Sequence, residues 1–348
     1  MRLAFSSEKY RIPSLDGLRA LSILIVILRH FYSQDYFNPN CRYISILFDG
    51  QFGVNVFFVI SGFLITSLLT KEEEVAGSIS LNKFYLRRAL RILPAFFFLL
   101  LFYGILQYFE IIHISRDSWL TTLTFTKFLN GGTDWYTWHI WSLSVEEWFY
   151  LVWPLMFIRK NNRELILWSI VIIIPLIKLF SYFNLIPTIS DLSILTRSDA
   201  IAMGCLLCFN RERIESILFK NSRYFYYFIF AVFFLLAIFY FNKNYELIKL
   251  LAIAFGGSHG TIANFLIGLI LIKSITLKHG WWFRLLNHRI MVWIGTLSYS
   301  LYLWQQFFIH NSFNWYNSFP INLLLIVIFA LTSYHFIEKP FLRLKSLI

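Results

Sequence analysis

Charge is scarce in this chain. Asp, Glu, Lys and Arg make up 14% of its 348 residues, against 58% that are hydrophobic. A water-soluble domain of this size needs more charged surface, so the expected solvent for most of the chain is lipid. Cysteine is rarer still, and Cys41, Cys205 and Cys208 are too few for a disulfide framework. Cys205 and Cys208 have C-x-x-C spacing but no second pair of ligands, which leaves them a packing role and no metal site in view. Acidic residues are outnumbered, 19 against 31 basic, for a net charge of +12. In a soluble protein that balance would suggest nucleic acid. Here the cations sit in short connectors between apolar runs, which excludes nucleic acid as a partner and points to membrane lipid. Also missing are a cleavable leader, an internal repeat and a Pro/Gly/Ser-rich linker. The first apolar run begins near Leu15, carries Asp16, Arg19 and Arg29, and is followed by no small-residue cleavage site.

Apolar runs, by contrast, are plentiful. Aromatics reach 20%, led by 39 Phe, which suits lipid-facing and interfacial positions. A helix crossing the hydrocarbon core needs about 20 mostly apolar residues. Ten candidates follow: 15–33, 52–70, 93–112, 139–158, 164–183, 196–210, 224–241, 247–272, 290–309 and 319–337. The eighth is interrupted by Gly256, Gly257 and Gly260, as in a broken helix. The predicted fold is all-α, a polytopic membrane bundle forming one domain over 1–348. Cation-rich connectors, among them Lys83 to Arg91, Arg159 to Arg163 and Lys339 to Lys345, all fall on one side of a ten-span chain. That side is then cytoplasmic, with both termini. The connector 71–92 is expected to be partly an interfacial helix.

Ionisable groups at membrane depth cost several kcal/mol unless paired or facing a polar cavity, so each one raises a question of function. Arg19 and His30 lie eleven residues apart in the first span. At about 100° per residue they share a face, separated by about 16 Å along the axis. The fourth span, WHIWSLSVEEWFYLVWP, holds Glu146 and Glu147 in its outer half. Adjacent residues diverge by about 100°, so one carboxylate can face the interior. A carboxylate beside an imidazole would steady a general base, whereas a structural ion pair would only specify packing. In FYLRRALRILP, Arg88 and Arg91 share a helix face. A guanidinium pair at the cytoplasmic edge suits phosphates, of a ligand or of lipid headgroups. Arg197 and Asp199 stand at the outer entrance of the sixth span, with Gly204 following for close helix contact. Ser298, Tyr299, Tyr302 and Gln305 form a polar stripe in the ninth, as acceptor contacts or as interhelical glue.

These pieces, taken in order, resemble the acyltransferase-3 family of bacterial membrane O-acyltransferases. They are DGLRA with His30 completing an R-x10-H pattern, FFVISGFLIT at 57–66, Arg88 and Arg91 as R-x-x-R, WSLSVEEWFYLVWP, RSDAIAMG, SYSLYLW, and EKP at Glu338 to Pro340. The resemblance implies an enzyme of the bacterial inner membrane that passes an acyl group, usually acetyl, from cytoplasmic acyl-CoA to a hydroxyl of an extracytoplasmic glycan. It implies that Arg88 and Arg91, with Arg19, hold the CoA phosphates. His30 would act as general base or transient acyl carrier, with Glu146, at the S-x-E position, as its partner. Acetyl-CoA would be a donor substrate, with no permanently bound cofactor. Many relatives carry a soluble hydrolase-like domain after the membrane part, and none is expected before Ile348. The chain departs from the pattern at Gln305, where relatives usually have His after YLW.

The expected acceptor is a surface polysaccharide, lipopolysaccharide O-antigen first, with polysaccharide-biosynthesis proteins as companions. The rival reading is a transporter or flippase of a polar or lipid-linked solute, which would also place Arg, His and Glu at membrane depth. A transporter has no need of a CoA site, and that separates the two.

Overall fold

A computed structural model describes residues 12–34, 36, 50–128, 134–159, 162–183, 185, 193–218, 260–310, 314–345 and 347–348. The expected span at 224–241 lies outside the described residues, as do Gly256 and Gly257 of the eighth, the 242–246 connector, Lys9, Arg11 and Cys41. Among the described residues the regular structure is helical, with no strand.

Helix α1 (Pro13–Ser33) starts with Pro13 at its first position, where a missing N–H costs nothing, and has Asp16 in its first turn. Next come α2 (Gly50–Ala76) and α3 (Leu81–Tyr108). The segment 71–92 is therefore no separate interfacial helix. KEEE prolongs α2, the Arg-bearing run FYLRRALR opens α3, and only 77–80 joins them. Lys, Leu and Arg are good helix formers, so helix continues through charges that hydropathy alone would assign to a surface segment. Two ion pairs secure the prolonged end of α2, Arg87 to Glu72 at 3.3 Å and Arg163 to Glu73 at 2.7 Å.

Short helices α4 (Arg116–Leu123) and α5 (Trp135–Trp138) precede α6 (Ile140–Ile158). Then follow α7 (Arg163–Tyr182), α8 (Ser193–Phe209), α9 (Arg211–Leu218) and α10 (Thr261–Thr276). After α11 (Trp281–Leu286), the expected ninth span is divided at Leu297 into α12 (Arg289–Thr296) and α13 (Ser298–Phe308). The tenth begins as α14 (Ile321–Thr332), widens into a π-helical turn at Ser333–Glu338 and closes as α15 (Lys339–Lys345).

Four of the described helices are long and apolar enough to cross a membrane: Gly50–Ala76, Leu81–Tyr108, Arg163–Ser181 and the continuous run Ile321–Lys345. Large apolar side chains such as Leu101, Leu165, Ile172 and Leu324 point outward from them. An apolar belt of that size suits lipid and not water.

Inside the bundle, α2 packs on α8 and α8 on α7 and α10, while α1 lies against α2, α12 and α13. The α2–α8 seam is close because both sides are glycine there. A Cβ on Gly204 would stand 2.2 Å from the Val59 carbonyl oxygen, and one on Gly62 would stand 2.0 Å from that of Ile201. Such backbone approach supplies the packing that helices in lipid cannot obtain from a hydrophobic driving force.

Candidate active site

Polar side chains gather in three places. The first is a ring of arginines and carboxylates drawn from distant parts of the chain. Arg19 of α1, Arg88 and Arg91 of α3, Glu146 and Glu147 of α6, and Glu338 of the π turn are electrostatic neighbours. The Arg88 guanidinium lies 4.3 Å from the centre of the Tyr150 ring. The Tyr150 hydroxyl bonds to Ser61 and reaches Glu146 Oε2 at 3.3 Å. Glu338 is buried and accepts from Ser300, and Tyr299 donates to the Ile92 carbonyl at 2.9 Å. Arg19, Arg88 and Arg91 nevertheless close neither a hydrogen bond nor an ion pair with any described residue, and each keeps part of its surface accessible. Guanidinium donors held together with free N–H groups are suited to an anion with several oxygens.

The second place lies along the same face of α1, about 16 Å farther on. His30 meets Trp135 edge-on at 6.1 Å between ring centres. Gln305 of α13 reaches its ring, and His139, at the start of α6, is an electrostatic neighbour. His30 Nδ1, both amide atoms of Gln305 and both ring nitrogens of His139 are enclosed without a hydrogen bond of standard geometry. Trp135 is bolted to α13 twice, its indole donating to the Gln306 carbonyl at 2.8 Å and its own carbonyl accepting from the Gln306 amide at 2.9 Å.

Between the two places runs a polar stripe. Tyr302 is 2.7 Å from the Ser142 hydroxyl, donates to the His139 carbonyl and is an electrostatic neighbour of Glu146. Arg88, Glu146, Tyr302, His139 and His30 thus form a succession of neighbours leading from the arginine ring to the histidines. The expected Glu146–His30 pairing is not how these groups are partnered. Glu146 keeps the company of Arg88, Arg19 and Arg91, while the polar companions of His30 include Gln305, His139 and Arg29. Glu147 also lies on the arginine side, beside Arg88 and Glu146, with its Oε1 unbonded.

The third place is separate. Asp199 of α8 accepts at Oδ2 from Thr261 at 3.0 Å and Asn264 at 3.1 Å, and pairs with Lys178 of α7 at 3.7 Å. Asn264 accepts from Asn55 at 2.8 Å, and Arg197 donates to Asn55 at 3.4 Å and Gln51 at 2.5 Å. The structure therefore joins Arg197 and Asp199 to a network across α2, α7, α8 and α10, not to the arginine ring. Asp16 sits in the first turn of α1, with its carbonyl against Gly295, and Ser298 is buried at the start of α13.

Four participants were not singled out as site residues from the sequence. A lone Lys178 in an apolar run called for a partner, and His139 and Tyr150 stood inside a quoted motif. Glu338 lay in the EKP string, but nothing in sequence order puts it beside Arg91. Among the described residues no cluster of His, Cys, Asp and Glu could hold a metal ion.

Comparison with known proteins points to one family. A family model described as an acyltransferase domain matches residues 12–334. The provisionally named O-acetyltransferase SACOL0978 of Staphylococcus aureus (strain COL) is 30% identical, over 95% of this chain and 57% of its own length. The peptidoglycan O-acetyltransferase OatA of Listeria monocytogenes is 27% identical, over 86% of this chain and 49% of its own. The provisionally named peptidoglycan O-acetyltransferase YrhL of Bacillus subtilis is 27% identical, over 94% and 54%. The chain spans about half the length of these curated relatives. No solved structure matches it.

Proposed function

Since this chain belongs to the acyltransferase-3 family, we propose that it is a multi-pass O-acyltransferase of the bacterial inner membrane, moving acetyl from cytoplasmic acyl-CoA to a glycan hydroxyl on the outer side. The observation that carries this reading is the trio of Arg19, Arg88 and Arg91 with unengaged donors, joined by a polar stripe to His30 on the same face of α1. The arginines hold the CoA phosphates. The thioester extends along Tyr302 and Ser142, and His30 meets it from the far end as base or acyl carrier. Ten spans with both termini cytoplasmic put the arginines at the inner face, by the distribution of cations.

The acceptor is a glycan of the cell envelope. Two of the relatives are named for peptidoglycan, which makes it the first acceptor to try, ahead of the O-antigen favoured from sequence. A transporter would leave the thioester intact. The test is detergent-solubilised protein with acetyl-labelled acetyl-CoA and chitopentaose, scoring labelled ester and released thiol. The parent should form both. His30→Ala should lose about 10²–10⁴-fold in rate while remaining folded, the usual contribution of a positioned base. An undiminished rate in that variant would remove His30 from the chemistry, and an intact thioester with the parent would favour the transporter.

A further inference from the structure

His139 has no role in the reading above, and its surroundings call for one. The side chain is 3% exposed, at the junction of α5 and α6. Neither ring nitrogen completes a hydrogen bond of standard geometry. Buried polar atoms left in that condition are uncommon and each needs a reason. A packing role is not the reason here, because the helix-to-helix bond at this position is made by the His139 carbonyl, which accepts from Tyr302. The imidazole is left over from that bond. It stands edge-on to the Tyr302 ring at 5.2 Å, with the Leu303 carbonyl and His30 in its surroundings.

Its position along the stripe is equally specific. On the proposed path, a donor thioester coming from the arginine ring would pass the bonded pair Ser142 and Tyr302 before reaching His30. His139 flanks that last step, and Trp135, one helical turn earlier, closes over His30. Transfer from a thioester needs two proton movements. The hydroxyl must lose a proton as its oxygen bonds to the carbonyl carbon, and the thiolate must gain one as the carbon–sulfur bond breaks.

Resting on the proposed acyl transfer, we propose that His139 is the second catalytic histidine of this site. His30 removes the hydroxyl proton, His139 receives it from His30, and His139 delivers it to the departing thiolate. The oxygen–carbon bond forms, the carbon–sulfur bond breaks, and one proton ends on sulfur, so the products are the ester and free CoA thiol.

The test uses the full chain in detergent with acetyl-CoA and chitopentaose, and three proteins: parent, His139→Ala and His139→Gln. Both variants keep the backbone carbonyl that Tyr302 uses, and Gln keeps most of the side-chain volume. The expected result is a fall in kcat of about 10²-fold in both, within the range for a positioned acid–base group, with KM for acetyl-CoA unchanged. Added imidazole should restore part of the rate in His139→Ala and none in His139→Gln, whose side chain fills the space. Parental kcat in His139→Gln, or a change confined to KM, would overturn the assignment while leaving the acyltransferase reading intact. Should the parent itself form no ester, the underlying reading falls and this one with it.

Discussion

Two arginine-bearing regions of this bundle look alike in sequence and differ in how they are finished. Around Asp199, each charge has been given company: Arg197 donates to Gln51 and Asn55, and Lys178 stands against the carboxylate that Thr261 and Asn264 also hold. Around Glu146, Arg19, Arg88 and Arg91 share a neighbourhood with three carboxylates, yet close no bond with any of them. The first arrangement ties four helices together through paired charges, a service that buried polar networks perform, although Asp199 Oδ1 and Lys178 Nζ close no hydrogen bond within it. The second leaves its guanidinium donors unbonded among the described residues, as the proposed phosphate site requires. Both regions carry charge inside the bundle; what differs is how far those charges are paired.

That contrast can be broken most forcefully at Asp199. Asp199→Asn strands the Lys178 ammonium and should cost about 3–5 kcal/mol of stability, as breaking a buried pair from one side usually does. Thermal unfolding in detergent measures it, and the acyl-CoA affinity of the surviving folded protein should equal that of the parent. A loss of affinity without loss of stability would mean that this network, too, serves the ligand.

Arg88→Ala and Arg91→Ala should behave in the opposite way. Each removes a charge-assisted phosphate contact of about 1.5–3 kcal/mol, roughly ten- to a hundredfold in affinity. The melting temperature of Arg91→Ala should not fall, since that guanidinium closes no bond within the fold, and Arg88→Ala should lose its contact with the Tyr150 ring, about 0.5–2 kcal/mol. Calorimetric titration with acetyl-CoA distinguishes the outcomes, and unchanged affinity in both variants would return the pair to lipid headgroups.

The smallest effect is expected at Gln305, whose amide is enclosed beside His30. Gln305→Leu removes a polar neighbour from the histidines and should lower the transfer rate by about tenfold, in line with about 1–3 kcal/mol for an unmatched buried group. On the proposed role of His30 as the proton-handling group, Gln305→His should be tolerated with little gain. A marked gain in rate would show that the titrating group belongs on α13.

Much of the bundle was legible before any coordinates. The run 15–33 is α1 to within two residues, and 139–158 is α6 to within one. Both are apolar stretches bounded by connectors rich in charge or polarity, and hydropathy reads such edges well. Gly204 was expected at a close helix contact and is at one. The third span was placed too late, because Arg87, Arg88 and Arg91 were counted as surface when they open a helix whose face turns inward. The sequence named most residues of the candidate site and none of their pairings. Glu146 and His30 are both present, but which carboxylate serves which cation depends on the rotation of α6 against α1 and α3. No local pattern records that rotation. His139 escaped notice because a histidine at the edge of a span reads as an interfacial residue.

The wide turn at Ser333–Glu338 bears on how such chains tolerate change. A π-helical turn carries one residue more than an α-helical turn over the same rise. Glu338 reaches the arginine ring, and Lys345 comes alongside Arg91, Arg88 and Arg87, only after that extra residue has been counted. Loss of one residue from the α-helical stretch ahead of the turn, Ile321–Thr332, which has no such extra residue to absorb the change, would rotate all that follows by about 100°, turning Glu338 away although every letter of the EKP string survived. Chain length in this segment is therefore as much a part of the site as the carboxylate it delivers.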